Sequence, residues 1–290
     1  MTTITELRLP APAKLNLMLR ITGRRSDGFH LLQSVFQFIG RCDWITLRRR
    51  SDGAIRLINP LPGVPEDSDL TVRAAKLIKS KSPDDQLGVD ITIEKNLPMG
   101  GGVGGGSSDA ATVLLGLNAL WNLELSIDAL AELGLSLGAD VPVFVRGRAA
   151  WAEGVGEILT PAENLPEPWY VVVVPKCHVA TGAVFNSPDL TRNSKPIRMR
   201  DFLSGDRRND CLPVVESTYP EVREAIHRLS SFASEARLTG TGACVFAEFD
   251  QESTALDAAA ELTREGLDVF VTKGENVSPL HQHLPPRSCP

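Results

Sequence analysis

The chain has 290 residues, of which 42% are hydrophobic, and a formal net charge of −6. That length and apolar content can build two cores of ordinary size, and the acidic balance argues against nucleic acid as the main partner. No stretch approaches the about 20 consecutive apolar residues of a membrane helix, and residues 1–6 lack a basic region followed by an apolar one, so a cytoplasmic protein without a membrane partner is expected.

In chain order, Leu15 to Ile21 reads as a strand. On such a strand Lys14 and Asn16 share one face while Ala13, Leu15 and Leu17 share the other. An inward lysine needs a partner; a solvated lysine at a strand end is the plain alternative. Asp43 to Leu47 is a second strand, and Arg48, Arg49 and Arg50 read as its solvated end. Leu70 to Lys79 has helical character. Val89 to Lys95 alternates apolar and polar residues with β-branched side chains, which predicts a strand with one buried face.

Six glycines follow in Pro98-Met99-Gly100-Gly101-Gly102-Val103-Gly104-Gly105-Gly106-Ser107-Ser108-Asp109. Beyond them Ala110, Val113, Leu114, Leu117, Leu120 and Trp121 recur at helical spacing, with Ser107 or Ser108 suited to the N-cap. Strand, glycine loop and helix in that order bare backbone N–H groups at the positive end of a helix dipole, an arrangement that matches polyphosphate. A nucleotide triphosphate site is expected. A Walker A loop is excluded because no lysine follows Gly106. Gly100, Gly102 and Gly105 formally satisfy a dinucleotide fingerprint, but the following segment is helical and brings no second strand with an acidic end. A flexible linker is disfavoured because linkers rarely join a clean strand to a clean helix.

Leu125 to Leu137 is a further helix, opened by Ser126. Val141 to Val145 and Ala149 to Trp151 read as strands around a turn at Arg146-Gly147-Arg148. Asp140, between a helix and an apolar run, is either a chemical group or a turn-forming aspartate. The proline-rich Pro161–Pro168 is the best linker and divides the chain into residues 1–163 and 164–290. In the second half, Trp169 to Pro175 is a buried strand, and Tyr219 to Ser230 and Ser253 to Glu265 are helices. A glycine turn at Gly240 and Gly242 runs into another strand, and Asp268 to Thr272 is the last one. The mixture is an α+β pattern in two lobes, which implies a cleft. The five cysteines are odd in number with no C-x-x-C pair, so free thiols are expected rather than disulfides or zinc. The tail from His281 to Pro290 reads as disordered and unsuited to metal.

Pro12-Ala13-Lys14-Leu15-Asn16, Pro98 through Ser108, and Leu238-Thr239-Gly240-Thr241-Gly242-Ala243 resemble, in order and spacing, the three signature motifs of the GHMP kinases. Asp27-Gly28-Phe29-His30, Gly138 to Pro142 and Ala152 to Glu157 narrow the resemblance to the branch whose acceptor is a cytidine diphosphate alcohol of isoprenoid biosynthesis. It runs from about Leu9 to Leu280. The resemblance implies an amino-terminal lobe like domain 2 of ribosomal protein S5 and a ferredoxin-like carboxy-terminal lobe.

By that resemblance Lys14 and Asp140 carry the reaction: the aspartate takes the proton of the acceptor hydroxyl, whose oxygen attacks the γ-phosphorus of ATP, and Lys14 polarises the hydroxyl. Pro98, Met99, Gly100, Gly101, Gly102, Val103, Gly104, Gly105, Gly106, Ser107 and Ser108 would wrap the phosphates. Mg²⁺ is expected as the counterion of ATP, without a dedicated protein cage. Phe29 and His30 would stack on cytosine and bond its polar edge, Phe185 would face the ring from the second lobe, and Asn16 would lie near the reacting hydroxyl. Asp69 stands where the family usually has asparagine, which puts an adenine contact there in question. Asp109 suits the helix dipole but repels phosphate unless it turns away. The expected partner is a small cytidine diphosphate compound, and the chain a monomer or weak homodimer. A kinase for homoserine or mevalonate would lack the Phe29–His30 element. A nucleotide-sensing relative without chemistry would lack Lys14 or Asp140, and both are present.

Overall fold

The computed structural model describes residues 4–162 and 164–285, so Cys289, Glu163 and the last five residues of the tail lie outside the described residues. Two long antiparallel strands organise the molecule, β1 (Glu6–Arg24) and β2 (His30–Arg50). Only fragments of either are visible in the sequence, because Pro10 and Pro12 interrupt the pattern of β1. Both prolines are tolerated since, among the described residues, their end of β1 pairs with β2 alone and a second partner, at Leu19, comes only further along. β1 passes through three apolar clusters in turn. Leu9 and Ala11 join the first-lobe core, Ala13, Leu15 and Leu17 a middle cluster, and Leu19 and Ile21 the second-lobe core.

β2 also pairs with β4 (Gly88–Glu94), which carries the short parallel β3 (Ile55–Leu57), and with β5 (Ala150–Glu153), which pairs with β6 (Ile158–Pro161). Four helices complete this lobe: α1 (Leu70–Lys79), α2 (Gly105–Leu120), α3 (Ile127–Leu135) and α4 (Val141–Arg146). Asp69 caps α1 by accepting from the N–H groups of Thr71 and Val72, and Ser126 caps α3 by accepting from Ala129 N at 3.1 Å.

Two local expectations are corrected. Neither Ser107 nor Ser108 caps α2, which starts at Gly105 with Gly104 as its N-cap at φ +77°, a conformation that glycine adopts without steric cost. Val141 to Val145 is helical rather than extended. A five-residue apolar run does not distinguish the two by period, and the deciding signals are Pro142 in the first turn and Gly147 closing the helix at φ +66°.

The second lobe holds β7 (Trp169–Val174), the short helices α5 (Thr181–Asn186), α6 (Met199–Leu203) and α7 (Leu212–Thr218), then α8 (Pro220–Leu229), β8 (Ala236–Leu238), β9 (Val245–Phe249), α9 (Glu252–Arg264) and β10 (Asp268–Glu275). Its antiparallel sheet runs β10-β7-β9-β8, the ferredoxin-like order. β7 is apolar throughout because it is covered on both faces. Val171 and Val173 meet α8 and α9 through Val222, Ala225, Ala258 and Leu262, while Tyr170 and Val172 meet the middle cluster.

The lobes are joined by more than the linker. β10 pairs with β7 through residues 268–273 and with β2 through Gly274 and Glu275, so one hydrogen-bonded sheet spans both. The chain then returns to the first lobe in α10 (Pro279–His283), whose Leu280 is fully buried in that lobe's core. The tail is therefore ordered through His281 and His283, contrary to the disorder expected of it. Ser278 accepts from Leu280 N and Pro279 opens the first turn, a start signal present in the sequence. Cys42, Cys177, Cys211 and Cys244 are free thiols. Among the described residues, no helix is long and apolar enough to cross a membrane.

Candidate active site

The three motif segments meet at one carbonyl. Gly102 O accepts from Lys14 Nζ at 3.1 Å and from Thr239 Oγ1 at 3.2 Å, and Thr239 Oγ1 in turn accepts from Asn16 N at 3.0 Å. The bends of the loop require glycine here: a Cβ on Gly102, at φ +76°, would stand 2.3 Å from Thr239 O, and one on Gly104 would stand 2.8 Å from the Phe144 ring and 3.2 Å from Lys14 Cε. The backbone is further tied by Lys14 N donating to Val103 O at 2.9 Å and Cys244 N to Gly101 O at 3.1 Å.

Lys14 is 3% exposed, and its burial is matched with partners. Besides Gly102 O, its ammonium donates to Asn16 Oδ1 and lies 3.4 Å from Asp140 Oδ2. Asp140 directly precedes α4, yet its carboxylate makes no capping bond to that helix, and its side chain is 35% exposed. The two residues thus form an ion pair with a buried cation and an anion open to a ligand. Asn16 is 3% exposed, with its amide engaged at both ends: Nδ2 donates to Ser34 Oγ at 2.8 Å, and Ser34 Oγ donates to Met18 O. Its visible work is to hold Lys14.

A cavity of ≈ 370 Å³ runs beside the loop, lined by Leu61, Val64, Asp69 and Leu70, by Lys95 and Asp109, and by loop residues that include Met99, Gly100 and Ser107. All of its lining belongs to the first lobe, whereas the Lys14–Asp140 pair lies where Thr239 of the second lobe meets the loop. The N–H groups of Gly105, Gly106 and Ser107, in the first turn of α2, precede the helical ladder and suit an anion. Ser107 lines the cavity, but Ser108 is fully buried and its hydroxyl has no partner among the described residues, which removes it from the loop's exposed face. Asp109, at the wall of the same cavity, is 3% exposed and paired with Lys95 Nζ at 2.9 Å. Burial pushes its carboxyl up to about 7, with Lys95 opposing that rise and Asp43 adding to it.

At the other end of the site, Phe29 is 61% exposed and His30 is buried at the start of β2. His30 stacks on Phe185 of α5, with ring centroids 5.1 Å apart and planes inclined by 23°. Arg192, which the sequence analysis did not single out, joins the two. Its Nε donates to His30 Nε2 at 3.2 Å, and its other nitrogens donate to the carbonyls of Phe185, Ser187 and Leu190. With Nε2 accepting, the ring proton of neutral His30 belongs on Nδ1. Burial lowers the His30 pKa, and the charges of Arg192 and Arg24 lower it further. No spacing rule connects residues 30 and 192, so only the fold reveals this contact. Among the described residues, no group of three His, Cys, Asp or Glu side chains could hold a metal.

The model for the GHMP kinases N terminal domain matches residues 69–148, and that for GHMP kinases C terminal matches residues 192–268. The chain belongs to the GHMP kinases and is a small-molecule kinase. Within that family it is 58% identical over 279 residues to the 4-diphosphocytidyl-2-C-methyl-D-erythritol kinase of Ectopseudomonas mendocina, an alignment covering 96% of this chain and 94% of the relative. A crystal structure of 4-(cytidine 5'-diphospho)-2C-methyl-D-erythritol kinase superposes with a TM-score of 0.81 at 31% identity, covering 93% of this chain and 99% of that one. A mevalonate kinase structure superposes at 0.70 with 16% identity over 93% of this chain and 99% of its own, a likeness of fold alone.

Proposed function

We propose that this protein transfers the γ-phosphoryl group of ATP to the 2-hydroxyl of 4-diphosphocytidyl-2-C-methyl-D-erythritol, with Asp140 as base and Lys14 as its partner. The observation that carries this reading is the Lys14–Asp140 pair, 3.4 Å apart, with the same lysine bonded to Gly102 O of the glycine loop. A hydroxyl placed beside Asp140 would lose its proton to the carboxylate as its oxygen attacks phosphorus in line with the leaving ADP oxygen. Phosphoryl transfer asks little covalent chemistry of a protein, so alignment and donors facing the phosphoryl oxygens are the main contributions. Lys14 supplies positive charge beside Asp140, and the first-turn N–H groups of α2 supply neutral donors. Mg²⁺ would enter bound to the triphosphate, where it neutralises phosphate charge; the Ser107 hydroxyl, on the cavity wall, is an oxygen suited to it.

The substrate assignment is supported by the 58% identity to a relative of that name and by the His30–Phe185–Arg192 cluster. Stacked aromatic rings beside a neutral imidazole suit a cytosine ring, with Phe29 free to cover it. Asn16 would act on substrate through Lys14. Residues 1–163 and 164–290 are the proposed units, and the work is cytoplasmic small-molecule metabolism. Phosphorus NMR of the product formed from Mg-ATP tests the proposal. A new phosphate monoester on C2 of the methylerythritol unit is expected, and a phosphate at any other position contradicts it.

A further inference from the structure

The glycine loop is fastened by three charged side chains, Asp43 and Asp109 buried and Lys95 largely covered, with Lys95 and Asp109 also reaching the wall of the cavity beside the loop. Asp43, in β2 and 0% exposed, accepts from Asn96 N at 2.6 Å and Leu97 N at 2.8 Å through Oδ1, and from Lys95 Nζ through Oδ2. Lys95 Nζ also donates to Asp109 Oδ2 at 2.9 Å, in the first turns of α2. The entry stem of the loop is thus bonded to Asp43 through its backbone, and the exit stem through the lysine. The first residue of α2 lies directly over this cluster: a Cβ on Gly105 would stand 3.5 Å from Leu97 Cβ and from Lys95 Nζ, and 3.6 Å from Asp43 Oδ2.

Three features indicate that the cluster does more than fill space. Two buried carboxyl groups around a largely covered ammonium incur a desolvation penalty that well-packed apolar residues would avoid. Asp109 Oδ1 has no partner among the described residues, so the arrangement is not one of maximal satisfaction. And the segment it spans is the glycine-rich stretch, whose backbone has the most freedom to lose when it closes on phosphate. Burial works against the charge of Lys95, yet Asp109 and Asp43 together outweigh it and raise its pKa.

We propose that Asp43, Lys95 and Asp109 form a clasp that sets the separation of the two loop stems before nucleotide arrives, which makes Asp43 and Asp109 positioning residues for the triphosphate. The ordering cost of the loop is then met in folding rather than in binding, and nucleotide affinity rises accordingly. This inference rests on the reading of the loop as the ATP site.

The test compares Lys95→Met, Asp109→Ala and Asp109→Asn with the unaltered protein by hydrogen exchange of amides 98–106 without nucleotide, together with KM for ATP, kcat and the thermal midpoint. Lys95→Met and Asp109→Ala are expected to speed loop exchange and to raise KM for ATP by about tenfold, more than kcat falls, because preorganisation is lost. Asp109→Asn keeps an acceptor for Lys95 and is expected to recover most of both. Should Lys95→Met fail to fold, Asp109→Ala retains the Asp43–Lys95 arm and reads the same quantities. Unchanged exchange and KM in a folded Asp109→Ala variant overturn the proposal, as does faster exchange with unaltered ATP affinity. If the unaltered protein binds no Mg-ATP, the function beneath the proposal falls instead, a result the exchange data do not depend on.

Discussion

Lys14 Nζ lies 3.4 Å from Asp140 Oδ2, and the two residues come from opposite ends of the first lobe, β1 and the turn before α4. In the proposed reaction Asp140 is the base. Asp140→Asn keeps size and shape and removes the proton acceptor, so turnover should fall by about 10²–10⁴ while ATP affinity stays within a factor of two or so. Steady-state kinetics with a separate nucleotide titration measure both; near-normal turnover would remove Asp140 from the role of base.

In the proposed reaction Lys14 would act through position as well as charge. It is buried against the Phe36 ring, 5.3 Å from its centroid, and Gly104 approaches its stem. Lys14→Met should therefore lower kcat by at least about 10², and Lys14→Arg should not restore it, because a planar guanidinium needs room that this packed site lacks. Recovery in the arginine variant would show that charge alone suffices.

The loop glycines differ in what a side chain would meet. Gly102→Ala would drive a methyl group into Thr239 O, whereas Gly63, at a similar positive φ of +77°, has nothing within 4 Å. Gly63→Ala should cost only backbone strain of about 1–2 kcal/mol, read from the thermal midpoint, with activity kept. Gly102→Ala should raise KM for ATP more than tenfold or so, since it displaces the carbonyl shared by Lys14 and Thr239.

His30 sets a pH dependence whose sign follows from its lowered pKa. The native ring is neutral where the unfolded chain's histidine begins to protonate, so its contribution to stability is complete above about pH 6.5 and fades as pH falls through the lowered native value. Protonation also replaces the acceptor that Arg192 uses. Arg192→Met should move the His30 titration upward, observable by NMR, and raise KM for the cytidine substrate without changing KM for ATP. His30→Ala should show the same selective loss.

Much of this site is legible in the sequence because its chemistry is local. The strand before the loop, the glycines that need positive φ, and the Ser126 cap each declare themselves within a few residues. The extent of β1 and β2 does not, since prolines and register shifts break the alternation that would reveal them. Long-range pairings are the least visible: Lys95 with Asp43, Arg192 with His30, and α10 with the first-lobe core depend on segments tens to hundreds of residues apart. The Val141 to Val145 run misleads because five apolar residues suit a buried strand as well as a buried helix.

The proposed reaction couples γ-phosphoryl transfer to a cytidine diphosphate acceptor. It is tested most directly by ADP release from Mg-ATP with 4-diphosphocytidyl-2-C-methyl-D-erythritol, compared with the same methylerythritol phosphate lacking its cytidine group. Release with the intact compound alone is the predicted result. Equal release with both, or release only with homoserine or mevalonate, would contradict it.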